Sequence, residues 1–474
     1  MVAVKQEPVV VSLKLLVDDK IKRVVAAEAN KDFVDILFSF LTLPMGTIIR
    51  LTSSSTQLAE TPVSIGCMNK IYQGVENLDR EYWQTEHCKT MLLNPRNSLV
   101  EYCKKLNINI DDSGSEFKYG CPRESCLYYS MYRNVSCGCG SGKTTEERKP
   151  VEKRKRIEEN VSSREGAFLK GGIVFIISDD LQVRPASPAV LAQLIPDIGS
   201  REGSNIREMR VEVSRDEVVC LFAHSLVSET PLSDVFLAKL PGYARVGTQR
   251  KPPKLGTILS SSTTAAVDTA ERNGPSLELK LTFVKSTKKI LYAEATNKFF
   301  DFLCSFLTIP VGSMIHVLER QSGLKCLDNL YTSVLELEQK WFHSSNKCGL
   351  LNPNIAAHHN CKKQPLRSVN TSYTYTRSYY YDDEPEMIDP RGDKKKFAVK
   401  PSLFLVPDDL EVKPLSVASC LLILNELEIP FDQTEEQQVT VGMKEAMSLL
   451  KAALTSPSSA LTKGLGPFLQ KQKP

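Results

Sequence analysis

Four cysteines are the residues best placed to do chemistry: Cys121, Cys126, Cys137 and Cys139, spaced C-x4-C-x10-C-x-C. Thiolates delivered as two close pairs suit tetrahedral Zn²⁺, because each pair can form a knuckle and the residues between them a hairpin. Leu127–Tyr132 (LYYSMY) is the expected strand of that hairpin. All four positions would be filled by protein, leaving none open for substrate, so a zinc here is structural rather than catalytic. The surrounding insert holds few apolar residues, and a metal would supply the organisation that a core cannot. Neither pair has the common C-x2-C spacing, so loose free cysteines and redox chemistry stand beside zinc as readings of the same residues.

Other motifs carry weaker signals. Gly140–Thr145 reads GSGKTT, the tail of a phosphate-binding loop, but Cys137 stands where that motif needs its first glycine. A buried strand before it and a helix after it are also missing from the pattern. The Lys153–Arg156 run (KRKR) could serve nuclear import or phosphate contact, yet Glu146, Glu147, Glu152, Glu158 and Glu159 surround it, as in a solvated linker. Arg391–Asp393 (RGD) sits in a polar loop and reads as chance. His343, Cys348, His358, His359 and Cys361, with His87, Cys88 and Cys103 earlier in the chain, fall close together in sequence but match no established metal spacing.

What must position these residues is legible as an internal repeat. Leu13–Leu51 laid over Leu279–Val317 without a gap gives 17 identical pairs in 39. A period of this size points to two similar domains rather than a solenoid. In each copy two short apolar runs flank a polar turn, at Asp18–Lys20 in the first, which predicts a β-hairpin. Asn30 or Asp32 can start a helix, and Phe33, Ile36, Leu37, Phe40 and Leu41 then recur at the spacing of one buried face. Phe299, Phe302, Leu303, Phe306 and Leu307 repeat that face. Pro44 and Gly46, or Pro310 and Gly312, are expected to stop the helix and turn the chain.

The repeat continues with Cys67 over Cys326, LLNP at Leu92–Pro95 and Leu350–Pro353, and Cys103 over Cys361. FIISDDLQVRP matches FLVPDDLEVKP, read as two short strands around the Asp179–Asp180 or Asp408–Asp409 turn. Ser214 and Glu217 have capping-box spacing ahead of a closing helix. The expected fold class is therefore α+β: two tandem copies of a unit built on a β-hairpin and a helix, the first with a small cysteine-rich, zinc-knuckle-like insert. The first unit spans 1–250 with an insert at about 111–166. A Ser/Thr-rich flexible linker covers 251–276, and the second, more diverged unit spans 277–474 with an insert at about 364–396. Glu28/Glu294 and Asp35/Asp301 also recur, and capping or pairing with Lys22/Lys288 is the plain account of them.

Length and composition fit this picture. A chain of 474 residues exceeds what one core usually serves. The 42% hydrophobic and 24% charged fractions are those of a globular protein, and a net charge of +4 neither requires nor excludes a nucleic-acid partner. No signal peptide is evident near the N-terminus. The longest strongly apolar stretch, Phe33–Leu43, contains Asp35 and is far short of the roughly 20 residues of a membrane span. A soluble protein of the cytoplasm or nucleus is expected, with no membrane partner and its 13 cysteines free, buried or metal-bound.

The LKLLVD start, the EANKDFVDILFSFLTLP block, MLLNPRNS, FIISDDLQVRP and TPLSDVFL resemble the plant family known as domain of unknown function 674. The resemblance covers almost the whole chain. It implies a plant origin and a duplicated layout, and brings no activity or catalytic residues. Three classes of function follow: a non-catalytic scaffold binding a protein partner, a nucleic-acid-associated protein using the knuckle with Arg133, Lys143 and the KRKR run, and an enzyme of unrecognised type with its site between the copies.

Overall fold

The computed structural model describes residues 9–54, 63–113, 118–123, 125–140, 142–148, 166–191, 206–238, 274–343, 346–361, 364–366, 369, 386–399 and 402–469. Lys153–Arg156, most of the 251–276 linker and most of the second insert lie outside the described residues. The chain is α+β, with helices packed against antiparallel sheets. Among the described residues no helix is long and apolar enough to cross a membrane.

Val11–Asp18 (β1) and Arg23–Ala29 (β2) form the expected hairpin, its turn held by Asp18 Oδ1, which accepts from the N–H groups of Lys20 and Ile21. Leu13, Leu15 and Val17 point inward together because alternate strand residues share a face. On the other face Lys14 pairs across the strands with Glu28 at 2.7 Å, and Lys280 pairs with Glu294 at 3.0 Å. Those lysines, rather than Lys22 and Lys288, are the partners of the recurring glutamates. Lys22 and Lys288 instead carry the hairpin turns at φ 53° and 56°.

Asn30 caps the next helix, Lys31–Ser39 (α1), its side chain accepting from the N–H groups of Asp32 and Phe33. Pro44 ends the run, but Gly46 does not turn the chain. It lies inside a further helix, Met45–Ser54 (α2), where a Cβ would meet Leu92 O at 2.6 Å and Pro95 Cδ at 2.9 Å. Close approach of backbones, not a special φ, is what requires glycine there. Gly312 faces Leu41 O and Leu350 O in the same way, at 2.8 and 3.0 Å.

Met68–Asn77 (α3) follows, then a three-stranded sheet of Lys118–Gly120 (β3), Tyr129–Ser130 (β4) and Glu146–Arg148 (β5). Phe175–Ser178 (β6) and Val183–Pro185 (β7) flank the Asp179–Asp180 turn as the sequence predicts. Ile206–Val213 (β8) leads to Arg215–Val227 (α4), which opens with the Ser214/Glu217 capping box. The resulting sheet has the order β7-β6-β2-β1-β8.

The C-terminal half contains Leu277–Val284 (β9), Ile290–Thr296 (β10), Asn297–Ser305 (α5), Val311–Val317 (α6), Lys325–Glu336 (α7), Leu403–Pro407 (β11), Lys413–Pro414 (β12), Val417–Glu426 (α8), Thr434–Val441 (β13) and Met443–Thr455 (α9). Its sheet runs β12-β11-β10-β9-β13, the same order position for position.

The halves meet through corresponding residues. Pro44 bridges Pro310, Met45 N–H donates to Ile309 O at 3.2 Å, and Val311 N–H donates to Leu43 O at 3.0 Å. Each half also sends one helix onto the other's strand turn. Gly74 on α3 abuts the Val412 backbone, where a Cβ would sit 2.7 Å from Val412 N. In return Ser333 on α7 accepts from Val183 N–H at 2.8 Å. The recurring cysteines Cys67 and Cys326 cross the same seam, their thiols donating to Ser456 O and Ser228 O at 2.9 and 3.1 Å. One apolar core therefore runs through both halves.

Asp35 and Asp301 organise the seam from below. Asp35, buried on α1, accepts from the N–H groups of Ala167, Phe168 and Leu169 at 2.9, 3.3 and 2.9 Å. Asp301 accepts from Ala398 N–H at 3.0 Å. The loops so held then bridge to the opposite half, Leu169 to Phe342 and Ala398 to Trp83. Burial pushes Asp35 up to about 7 from an ordinary 3.8, with the three N–H bonds opposing it. A raised folded pKa gives stability that is complete below the unfolded value and is lost as pH climbs through the folded one. The thermal midpoint of the protein should therefore fall from pH about 4 to about 7, and Asp35→Asn should flatten part of that slope. Identical slopes for the two proteins, read by scanning calorimetry across that window, would mean that Asp35 stays ionised throughout.

Candidate metal centre

The small β4-β3-β5 sheet is too thin to bury a core, and its turns gather the four cysteines instead. Cys121 follows β3 directly. Cys126 ends a turn in which its N–H donates to Arg123 O at 2.9 Å. Cys137 and Cys139 share a second tight turn, closed by Gly140 N–H to Cys137 O at 3.1 Å and Cys137 N–H to Gly142 O at 2.8 Å. Gly140 and Gly142 sit at φ 75° and 132°, in the region that favours glycine. The glycines of GSGKTT thus shape the second knuckle. Thr144 is buried, its hydroxyl donating to Tyr132 O and accepting from Val135 N–H, both at 3.1 Å, and a strand rather than a helix follows. Only Tyr129–Ser130 of LYYSMY is strand, and it pairs with β3.

The sulfur atoms converge. Cys121 Sγ lies 3.5 Å from Cys139 Sγ, Cys126 Sγ 3.5 Å from Cys137 Sγ, and Cys139 Sγ 3.2 Å from Cys137 Sγ. All four lie within 4.8 Å of one another. A disulfide needs about 2.05 Å, so these are separate thiols. Four ligands at about 2.3 Å around a tetrahedral ion stand about 3.8 Å apart, which is the spacing this set approaches. Cys121, Cys126 and Cys137 are buried, with Tyr128 and Ile388 packed over them. Burial pushes the Cys137 thiol up to about 12, and a bound divalent cation reverses that balance by stabilising thiolate directly. The donor set fits a soft divalent ion held in a closed site.

Sequence spacing gave no sign of what holds the module in place. Tyr129 N–H donates to Glu386 O at 3.0 Å and Ile388 N–H donates to Tyr129 O at 2.8 Å, so the second insert adds a parallel bridge to the first. Three residues after Ile388 comes Arg391, 1% exposed, although Gly392 to Lys395 after it form an exposed polar turn. It donates from Nε and Nη2 to the two oxygens of Asp389 at 3.0 and 2.9 Å, donates from Nη1 to Asn360 O at 2.7 Å, and covers the Phe397 ring at 5.1 Å. Burial alone would raise the Asp389 pKa, but hydrogen bonds from His358 and Arg391 outweigh it and hold the carboxyl well below the usual range.

Among the described residues the four cysteines are the group whose ligand atoms converge. The other histidines and cysteines do not join into a second centre. Cys348 is exposed, the Cys361 thiol donates to Asp301 O at 3.0 Å, and Cys103 is buried beside Thr42 and Asn97. Arg133 and Lys143 are exposed on the module.

Fold and site together define an α+β protein with two sheets of one strand order and a small cysteine module clamped at their seam. The chain belongs to the family described as Protein of unknown function (DUF674), which matches residues 7–444. No curated protein and no solved structure matches it.

Removing the Asp389 carboxylate would leave Arg391 buried without a counter-charge. Asp389→Ala should cost about 3–5 kcal/mol, read as a lowered urea midpoint. A loss below about 1 kcal/mol would show the guanidinium relaxing into water.

Proposed function

We propose that this chain is a non-catalytic scaffold made of two copies of one unit, with a structural zinc knuckle in the first copy and a protein-docking face on the second. The closed four-thiolate set supports the zinc reading, because it leaves no coordination position for substrate. Zinc-thiolate sites persist where thiols stay reduced, which favours the cytoplasm or nucleus.

The observation that carries the docking reading is the outer face of α8. Val417, Leu422, Leu421 and the nearby Phe431 are 77%, 59%, 50% and 74% exposed, while only Leu424 of the helix is buried. Single exposed apolar residues are ordinary, but several on one helix and the short segment after it support an interaction surface. Exposed Glu426, Glu428 and Asp432 border it. The complementary partner is a protein with an apolar stripe and a basic rim.

Elemental analysis tests the knuckle: zinc should be present at one equivalent in the wild type and absent from a variant with Cys121→Ser and Cys126→Ser. Wild-type protein free of zinc would remove the knuckle from the proposal. For the docking face, the protein in native extract should elute as a larger assembly, and Leu421→Glu with Phe431→Glu should return it to the monomer position. An unshifted variant would rule out α8 as the surface.

A further inference from the structure

Where the cysteine module meets the C-terminal half, a cavity of about 60 Å³ opens beside Arg96. Met131 and Tyr132 of the module wall it on one side, and His358, His359 and Met387 on the other. One water needs about 10–15 Å³ of such space, so the cavity takes several waters or one small ion.

The other polar groups of its walls are already engaged. His358 Nε2 donates to Met387 O at 3.1 Å, and its Nδ1 stands 3.5 Å from Asp389 Oδ2. His359 Nδ1 donates to Ala357 O at 3.0 Å, which leaves Nε2 to accept from the Tyr132 hydroxyl at 3.4 Å. Asn97 Nδ2 donates to Thr42 Oγ1 at 2.9 Å.

Arg96 differs. It is half-buried, and among the described residues it has neither a hydrogen bond nor an ion pair. Asp111 and Glu101 act on it only from longer range, and burial pushes its pKa down. A guanidinium carries five N–H donors in a planar fork, and a partly desolvated cation without a counter-charge is costly. Asn354 stands at the matching place after the second LLNP, so the cation occurs only on the side that bears the cysteine module.

We propose that this cavity binds a small oxyanion, a phosphate or carboxylate group, gripped by the Arg96 fork between the module and the C-terminal half. The fork matches two oxygens of either group at once. The thioether and alkyl groups of Met131 and Met387 in its walls lower the polarity around that contact and so strengthen it. The inference rests on the folded module, whose Met131 and Tyr132 line the cavity, but not on which ion its cysteines hold.

Calorimetric titration of the full chain tests it, with inorganic phosphate and with acetate as separate probes and ionic strength held by chloride. Wild-type protein should bind at least one of them saturably, and the one that binds assigns the class of oxyanion. Arg96→Gln should weaken that binding by about tenfold or more, and Arg96→Lys should weaken it less, since an ammonium keeps the charge but loses the fork. Binding of neither probe, or equal binding by wild type and Arg96→Gln, would overturn the proposal. Should circular dichroism show Arg96→Gln unfolded, Arg96→Lys decides: affinity equal to wild type counts against the site.

Discussion

The structure depends on a backbone contact at its centre, where Leu43–Met45 and Ile309–Val311 lie antiparallel and exchange hydrogen bonds. Two prolines face each other there without N–H groups of their own, so the neighbouring amides of Met45 and Val311 make the link. The surrounding chains approach so closely that neither Gly46 nor Gly312 has room for a side chain. That contact brings the two halves near enough for α3 to reach the C-terminal sheet and α7 to reach the N-terminal one. The apolar faces of both sheets are then covered in part by the opposite half, and the largest core is shared between the halves.

Buried carboxylates tie local structure to that seam. Asp35 and Asp301 fix the loops that cross it. Asp179 and Asp408 do similar work one layer out: Asp179 accepts from the Ser233 N–H and hydroxyl at 2.9 and 2.7 Å, and Asp408 from the Thr462 N–H and hydroxyl at 2.7 and 2.8 Å. Each acid costs desolvation, and each is kept by several donors converging on it. Acids placed in this way serve the fold, since their oxygens are occupied by backbone and hydroxyl donors.

The cysteine module is a third component, added to the seam rather than to either sheet. It has four sulfur atoms where a larger domain would have a core, and it is held by one strand-like contact from the second insert. The Arg391–Asp389 pair and the His358 ring stiffen that contact from behind. Arg96, which has no ion pair among the described residues, lies at the join.

Much of the local structure was legible from sequence. Alternation fixed the hairpins, helical spacing fixed the Phe33 and Phe299 faces, Asn30 and Ser214 marked helix starts, and the paired cysteines marked the module. These are short-range properties, set by side-chain periodicity and by hydrogen bonds within a few residues. The partners were not legible. Lys14 rather than Lys22 meets Glu28 because strand register places it opposite. Gly46 serves a close approach made by a chain some fifty residues away. Arg391 is buried because Asp389 and Phe397 close around it, although its own neighbours in sequence are polar. Sequence by itself determined which elements form and which thiols sit near each other along the chain. Only the tertiary structure decided how the halves interlock, where the module docks and which charge is left facing a cavity, because those depend on contacts between residues that spacing along a chain does not relate.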